Sequence, residues 1–326
     1  MMKVLHDIHT HNVLSTCCGQ SGATTENYIK REMELGMKVF GLSNHVWDES
    51  IPGPAPFYAP QTIRHAEESK AILHYMPHDG LRCMFGAETE YYSCFDRLGM
   101  SVEGAKHFDY LLIPANHQHM RNYVTPDYPE IVEIRNMFKA RVKEACPELN
   151  EKELTRMIER LGERHLMRFV PELKTDIHQF FVQNNIQNLI QLTENETFRQ
   201  ICKIVPTSIA HPLTVGCGSQ NECAAMIDDD TLRDLFSRVK KAGAYVEINI
   251  PGVRWFAPDL TKNNAMNFFK IAKEVGCQFT LGTDAHSMDV LSHVVDYGDQ
   301  FVEVLGLTKN DIAEFVRDSV VVGSDT

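Results

Sequence analysis

Short apolar runs alternate with longer amphipathic stretches along most of the chain. The runs cover residues 4–8, 39–43, 82–87, 110–113, 207–210, 245–249 and 279–283. Each has the length of a buried strand, and the stretches between most of them can form a helix. A polar or ionisable residue stands at the end of each run or within a few residues after it. Strand and helix in alternation, with polar strand ends, are typical of an α/β protein of the (β/α) barrel type.

The helical stretches have recognisable limits. The first is predicted over residues 25–35, with Gly36 as its stop. Further helices are predicted over residues 61–75, 228–241 and 261–275, and a C-terminal helix from near Thr308. The segment from Pro52 to Pro60 contains four prolines and is predicted to be a stiff surface flap without regular structure.

Residues 120 to about 200 interrupt the alternation. They contain predicted helices over residues 129–145, 151–164 and 173–192, which is too much for one crossover connection. We therefore predict a single barrel domain over residues 1–326 with an inserted helical layer. Lids and structural insertions have the same sequence pattern, so the layer either caps the site or packs on the outside of the barrel.

Composition narrows the classes of partner. The chain has 326 residues, of which 43% are hydrophobic, enough for one large barrel. Its formal net charge of −12 disfavours nucleic acid and anionic membranes, but small anionic substrates are compatible with it. The nine cysteines include no CxxC pair, and neither a signal segment nor a membrane span is evident. We expect a cytoplasmic protein with reduced thiols and leave the oligomeric state open.

Metal-binding residue types gather at the predicted strand ends. His9 and His11 are two apart, so on a strand they lie on one face. In a parallel barrel all strand ends meet at one face. The residues that share this position are His9, His11, His45, Glu88, His117, His211, Asp284 and His286. Imidazoles with a few carboxylates suit Zn, Mn or Fe, and this set exceeds one tetrahedral shell, so we predict two or three divalent metal ions.

Each of these residues also has an ordinary structural explanation. A single His117 or His211 would more often be a hydrogen-bonded structural histidine, and Asp284 alone could cap the next helix. Their convergence on one face of the barrel favours the metal centre over these explanations.

Six motifs in order resemble the PHP family, named for polymerase and histidinol phosphatase. The motifs are Asp7-x-His9-x-His11, Ser43-Asn44-His45, Gly86-Ala87-Glu88, His117, Ala210-His211-Pro212 and Gly282-Thr283-Asp284-Ala285-His286. They span nearly the whole chain except the insertion. The resemblance implies a distorted, TIM-like (β/α)7 barrel that holds a trinuclear metal centre for phosphoester hydrolysis.

The resemblance also implies a ligand set. The first metal would be bound by His9, His11 and Asp284, with Glu88 as the bridge to the second. The second would be completed by His117 and His211, and the third would be bound by His45 and His286. Asp7 stands where the family has a carboxylate that orients a ligating histidine.

Two positions depart from the family pattern. Cys17 stands where the family usually has a His or Asp ligand of the third metal. A thiolate is a competent zinc ligand, and a small buried cysteine is the alternative. The spacing from Asp109 to His117 is one residue longer than expected, which makes His119 a rival ligand.

The segment Glu247-x-Asn249-x-x-Gly252-x-Arg254 is similar to one in the histidinol-phosphate phosphatase branch of the family. Arg254 follows a predicted strand end, so we predict that it binds a substrate phosphate through two parallel hydrogen bonds. The alternative is a surface arginine that stacks on Trp255.

The activity that this resemblance implies is metal-dependent hydrolysis of a small phosphate monoester, with L-histidinol phosphate as the best candidate. Asp284, His286 and Arg254 are the predicted catalytic residues, and His286 or a metal-bound group would assist the leaving oxygen. Two alternatives stay open: a phosphodiesterase or nuclease acting on small nucleotides, and a metal-binding module without catalysis.

Overall fold

Seven parallel strands form the central sheet of the protein. The computed structural model describes residues 2–76, 78–117, 120, 122–159, 171–213 and 220–323. Its strands, in chain order, are β1 (Met2–Val4), β2 (His6–Asp7), β3 (Val39–Leu42), β4 (Arg82–Glu88), β5 (Tyr91–Tyr92), β6 (Arg97–Leu98), β7 (Tyr110–Ile113), β8 (Thr207–Ile209), β9 (Tyr245–Asn249), β10 (Phe279–Gly282) and β11 (Val320–Val322). The large sheet has the order β10-β9-β8-β7-β4-β3-β2, and all its neighbouring pairs are parallel.

The two edges of this sheet meet. The Ile8 N–H donates to the Leu281 carbonyl at 3.3 Å, and the His11 N–H donates to the Ala285 carbonyl at 2.8 Å. Thr10 and Ala285 form a parallel bridge beyond the strand ends. Strand β2 has only two residues, so the closure is irregular. The predicted distorted seven-stranded barrel is confirmed.

Tyr110 fills the barrel interior at a place where two glycines leave room. A Cβ atom at Gly41 or Gly86 would collide with the Tyr110 phenol. The Tyr110 hydroxyl donates to the Ile8 carbonyl at 2.7 Å. One side chain from β7 thus packs on β3 and β4 and bonds to the segment after β2, as expected of a packed barrel core.

Helices surround the barrel. The α-helices in the described residues are Thr25–Glu34, Ile63–Ala66, Lys70–Tyr75, Val102–Ala105, Pro129–Ala145, Glu151–Glu159, Lys174–Glu194, Glu196–Cys202, Gln220–Ala224, Asp229–Ala242, Ile250–Phe256, Ala265–Glu274 and His293–Leu305. The 3₁₀ helices are Glu67–Ser69, Ser93–Phe95, Pro171–Leu173, Leu260–Lys262, Val290–Ser292, Lys309–Asp311 and Glu314–Ser319. None of these described helices combines the length and the apolar character that a bilayer crossing requires.

Side-chain caps explain the best-predicted helices. The Thr24 side chain accepts from the Asn27 N–H at the start of Thr25–Glu34, and Gly36 follows the end with φ of +73°. Asp228 caps Asp229–Ala242 in the same way, and Gly243 ends it in the left-handed conformation. The N-terminal and C-terminal ends of both helices agree with the start and stop residues in the sequence.

Two predicted helices are shorter or broken. The stretch 61–75 divides into Ile63–Ala66, a 3₁₀ turn and Lys70–Tyr75. The stretch 261–275 begins as α-helix only at Ala265, after the 3₁₀ turn Leu260–Lys262.

The predicted C-terminal helix from Thr308 is wrong. The chain there forms two 3₁₀ turns and then β11, which pairs antiparallel with β1. The run Val320–Val322 is β-branched and favours a strand. The actual last α-helix, His293–Leu305, was not predicted.

Helices occupy the predicted insertion, and the longest of them borders the barrel. The Asn188 side-chain amide donates to the carbonyls of Ala115 and Val124, at 3.0 Å each. Helix Lys174–Glu194 is thereby attached close to His117. Residues 160–164 of the predicted helix 151–164 lie outside the described residues. The single domain and the lid stay predictions.

The Pro-rich segment has no helix or strand and lies at the surface, as predicted, since Pro52, Pro56 and Pro60 are exposed. Two of its side chains anchor it to the protein. Ala55 and Tyr58 are buried, and they pack with Trp47, Tyr92 and other apolar residues in a small second core.

Candidate metal centre

Glu88, the last residue of β4, lies at the centre of the strand-end residues. Its Oε2 lies 3.5 Å from Nε2 of His9 and 3.3 Å from Nε2 of His11. The same oxygen is 3.1 Å from Nδ1 of His45. Three histidines from the first two barrel strands therefore converge on one carboxylate oxygen.

The other oxygen of Glu88 faces a different pair of histidines. Oε1 lies 3.4 Å from Nε2 of His117 and 3.1 Å from Nε2 of His211. The two Nε2 atoms are 3.0 Å apart. Glu88, His117 and His211 form a candidate ligand group whose atoms all lie within 4.8 Å of one another.

A second candidate ligand group consists of His9, His11 and Asp284. The Nε2 atoms of the two histidines are 3.1 Å apart, and Oδ1 of Asp284 lies 3.5 Å from the first and 3.2 Å from the second. Asp284 follows β10 with φ of +50°, a conformation that Asp tolerates better than most residues. This turn brings the carboxylate onto the histidine pair.

The third candidate group consists of His11, Cys17 and His45. Cys17 therefore lies with the cluster, as the sequence predicted for a ligand. Burial raises the pKa of the Cys17 thiol to about 12, so a thiolate there requires a bound cation.

His286 lies beside these groups without belonging to any of the three. Its ring stacks on that of His11 with centroids 4.6 Å apart, and its Nδ1–H donates to the Asp284 carbonyl at 2.7 Å. The rival ligand His119 lies outside the described residues, whereas His117 is in the cluster. Metal binding by all these residues stays a prediction.

Two polar residues orient the histidines from outside the cluster. Glu247, at the centre of β9, places Oε1 2.7 Å from Nδ1 of His9 and accepts the His211 N–H on Oε2 at 2.6 Å. Asn116 places Oδ1 3.1 Å from Nδ1 of His211 and donates to the His211 carbonyl. Because these contacts occupy Nδ1, each ring presents Nε2 to the centre.

Asp7 acts on the main chain. It accepts from the N–H groups of His9 and Thr283, at 3.1 Å each, and from the Thr283 hydroxyl. Burial raises the pKa of Asp7 to about 7, against the effect of these hydrogen bonds. Asp7 thus joins the ends of β2 and β10, while the ring of His9 is oriented by Glu247.

Charge is concentrated in this buried site. Burial opposes ionisation of Glu88, but His45, His9 and His117 hold the pKa of Glu88 well below its usual range. Burial likewise opposes the ionised form of Asp284, but His9 and His11 lower the pKa of that carboxyl. Burial disfavours the protonated form of His9, but Glu247, Asp284 and Glu88 raise its pKa well above the usual value. Ionised carboxylates at the centre therefore attract positive charge.

The donor set fits divalent metal ions. Nδ1 of His11 is buried and has no hydrogen-bond partner among the described residues, which an imidazole bound only by protein groups rarely tolerates. With metal–nitrogen bonds of about 2.0–2.1 Å, two ligand atoms of a tetrahedral shell lie about 3.3 Å apart. The contacts between the Nε2 atoms and the carboxylate oxygens cluster around this value. Imidazole, carboxylate and a thiol suit Zn, Mn or Fe.

Arg254 lies on the helix Ile250–Phe256, which begins directly after β9, where we expected a loop. Its guanidinium carbon lies 3.7 Å from the centre of the Tyr297 ring. Trp255 is 83% exposed, so the stacking partner of Arg254 is Tyr297 and not Trp255. The role of Arg254 in phosphate binding stays a prediction.

The sequence did not identify the residues that orient the ligands. Glu247 appeared in the segment Glu247-x-Asn249-x-x-Gly252-x-Arg254 without a role of its own, and Asn116 only as a polar residue near a strand end; Glu90, whose Oε2 lies 2.6 Å from Nδ1 of His117, was likewise not assigned. Glu90 stands two residues after Glu88 and Asn116 directly before His117, so their position was a usable signal. The contact of Glu247 with His9 joins residues far apart in the chain, and no local pattern could have predicted it.

Comparison with known proteins gives little further information. No family model matches the chain, and no curated protein matches it. Among solved structures it is similar to the histidinol phosphate phosphatase (HISK) from Lactococcus lactis subsp. lactis Il1403, complexed with zinc, L-histidinol and phosphate. The two are 12% identical, the match covers 93% of this chain and 94% of the other, and the TM-score is 0.48. Function must therefore be argued from the site.

Proposed function

We propose that this protein is a metal-dependent phosphatase that hydrolyses a small phosphate monoester, with L-histidinol phosphate as the first candidate substrate. The observation that supports it best is the position of Glu88. One of its oxygens faces His9 and His11, and the other faces His117 and His211. A carboxylate between two sets of ligands is suited to bridge two cations.

The three ligand groups would hold the metal ions. One would be bound by His9, His11 and Asp284, the second by Glu88, His117 and His211, and the third by Cys17 and His45 with His286 beside them. When bound, divalent cations in such a centre supply an activated water near neutral pH and neutralise charge on the phosphoryl oxygens. The motif order resembles that of the PHP family, which supports this chemistry.

His286 is the residue of the cluster best placed to move a proton. Its side chain is 37% exposed, whereas that of His117 is 13% exposed. Its Nδ1 proton is bonded to the Asp284 carbonyl, so Nε2 is the atom that exchanges protons with the substrate. Burial and the neighbouring His11 lower the pKa of His286, so Nε2 carries a lone pair near neutral pH and would take up a proton before giving one to the leaving oxygen.

Arg254 would bind the phosphate from the rim. Stacking on Tyr297 engages the flat face of the guanidinium. Its N–H groups lie in the plane of the group, so they point away from the ring and can donate in parallel to two phosphate oxygens. A monoester, with its terminal dianion, gains more from this contact than a diester does.

The test is phosphate release from L-histidinol phosphate by protein reconstituted with Mn, Zn or Fe. Asp284→Ala should abolish the activity, because it removes one ligand from the first group. Asp79→Ala, at an exposed carboxylate in a turn, is the matched control and should retain it. No release by the metal-loaded protein would refute the histidinol assignment, and equal loss in both variants would refute the role of the site.

A parallel assay with p-nitrophenyl phosphate and bis(p-nitrophenyl) phosphate separates the phosphatase from the phosphodiesterase. A monoesterase should prefer the first substrate. Preference for the diester would replace the proposal with its alternative.

A further inference from the structure

Tyr58 connects two histidines of the candidate metal centre from the Pro-rich segment. Its side chain is fully buried in the small second core. Its hydroxyl oxygen lies 3.2 Å from Nδ1 of His45 and 3.2 Å from Oε2 of Glu90. Oε2 of Glu90 lies 2.6 Å from Nδ1 of His117. A continuous hydrogen-bonded path therefore joins the rings of His45 and His117.

The hydrogen atoms along this path have one consistent arrangement. Oε2 of Glu90 is the acceptor for both partners, so the Tyr58 hydroxyl and Nδ1–H of His117 both donate to it. The Tyr58 oxygen then accepts from Nδ1–H of His45. Oε2 of Glu88, 3.1 Å from the same nitrogen, is a second acceptor. Each ring thus carries its proton on Nδ1 and a lone pair on Nε2.

We propose that Tyr58 and Glu90 are positioning residues that set the tautomers of His45 and His117 and thereby make Nε2 the metal-binding atom of both rings. The inference rests on the proposed metal centre and adds to it a role for the Pro-rich segment. His45 belongs to the third ligand group and His117 to the second. The path therefore couples two metal positions through protein groups alone.

Phe57 supports the same ring from the apolar side. It packs edge-on against His45 with centroids 5.1 Å apart. Phe57 restricts the tilt of the His45 ring, while the Tyr58 hydroxyl favours a proton on Nδ1 of that ring. Removal of the hydroxyl leaves Glu88 as the acceptor for Nδ1–H of His45, so it should weaken the preference for this tautomer without moving the ring from its pocket.

The test uses Tyr58→Phe and Glu90→Gln. Zinc affinities are measured by chelator competition, and ring tautomers by ¹⁵N NMR of histidine-labelled, metal-free protein. Tyr58→Phe should weaken the zinc bound by His45 by about 10–100-fold and alter the ¹⁵N signals of His45 more than those of His117. Glu90→Gln should weaken two zinc ions and alter the signals of both rings, because both partners donate to the same Glu90 oxygen and a neutral amide oxygen is a weaker acceptor than a carboxylate oxygen.

Tyr91→Phe is the matched control. The Tyr91 hydroxyl also bonds to a carboxylate, Asp96 at 2.6 Å, but away from the cluster. It should leave every zinc affinity within about twofold of the wild type. The proposal is overturned if Tyr58→Phe behaves as wild type, or if Tyr91→Phe weakens zinc equally. If Tyr58→Phe does not fold, Glu90→Gln is the deciding variant. Weaker binding of fewer than two zinc ions in Glu90→Gln would contradict the hydrogen-bonded path.

Neither readout depends on catalysis. A wild-type protein that binds zinc but releases no phosphate refutes the proposed function and leaves this inference to be judged on the affinities. If the variants have altered histidine tautomers but intact phosphatase activity, the path is supported and its role is in metal binding.

Discussion

Glu247 contacts His9 from outside the metal centre, with Oε1 2.7 Å from Nδ1 of the ring. Its second oxygen accepts the main-chain N–H of His211 at 2.6 Å. One fully buried carboxylate on β9 thus positions a residue from each of two ligand groups.

Replacing this carboxylate should weaken metal binding. Glu247→Gln retains the shape but has one acceptor oxygen for two N–H donors, so one contact is lost. We expect metal affinity to fall by about 10–100-fold, as measured by chelator competition. Glu303→Gln, at an exposed glutamate, should bind as the wild type does. Unchanged affinity in Glu247→Gln would contradict the role assigned to the contact with His9.

Chelation should lower the thermal stability of the protein. A ligand that binds only the folded state at 100 times its dissociation constant adds about 2.7 kcal/mol to the free energy of unfolding. We expect removal of metal to lower Tm by several degrees and Zn or Mn to restore it, measured by calorimetry. In Asp284→Ala, removal of metal should lower Tm by less than in the wild type. An equal change of Tm in that variant would indicate metal binding elsewhere.

His6 should make stability depend on pH. Its Nδ1 lies 2.8 Å from the Ser319 hydroxyl, and its Nε2 accepts the Leu281 N–H at 2.8 Å. Burial lowers the pKa of His6 to about 3, so the folded state keeps the ring neutral. The unfolded chain binds a proton near pH 6.5. The free energy of unfolding therefore falls as the pH drops from about 6.5 towards 3, by about 1.4 kcal/mol per pH unit.

The measurement is urea unfolding at several pH values in that window. His6→Gln should show a shallower slope than the wild type, because it removes this titrating group. His74→Gln, at an exposed histidine, should keep the wild-type slope. Parallel slopes in the wild type and His6→Gln would mean that His6 is protonated in the folded state.

Arg254 should matter more for monoesters than for diesters. A hydrogen bond to a charged group contributes about 1.5–3 kcal/mol, so Arg254→Ala should lower kcat/KM for a phosphate monoester by about 10–100-fold. Arg254→Lys should recover only part of the lost kcat/KM, because an ammonium group cannot donate two parallel hydrogen bonds to two phosphate oxygens. Arg233→Ala, at a partly exposed arginine on an outer helix, is the control. Equal losses on both substrate classes would place Arg254 outside phosphate recognition.

The barrel interior should be intolerant of added volume. Gly86→Ala places a methyl group against the Tyr110 ring, so we expect a loss of about 1–3 kcal/mol in the free energy of unfolding. Gly22→Ala has open space around the new Cβ and should be nearly neutral. Chemical denaturation of both variants checks this. A neutral Gly86→Ala would show that the Tyr110 ring moves freely.

The sequence predicted the barrel and its polar strand ends, because both depend on local alternation and on the way parallel strands align. His9, His11 and Glu88 needed only their position at a strand end. Glu247 and Tyr58 could not be assigned, because their contacts arise when distant segments meet. The C-terminal prediction was wrong because Val320–Val322 gains a partner strand, β1, that no local pattern reveals.

The ligands of a single group come from opposite ends of the chain, since His9 follows β2 and Asp284 follows β10. This group can therefore bind a metal ion with all its ligands only after the barrel has closed, in contrast to small domains that fold around zinc. The group of His11, Cys17 and His45 comes from one segment near the start of the chain and has no such requirement. We expect the third metal position to fill before the first. Metal uptake proceeds through the side where Asp284 and His286 are one-third exposed. We expect the proposed substrate to reach the site from the same side.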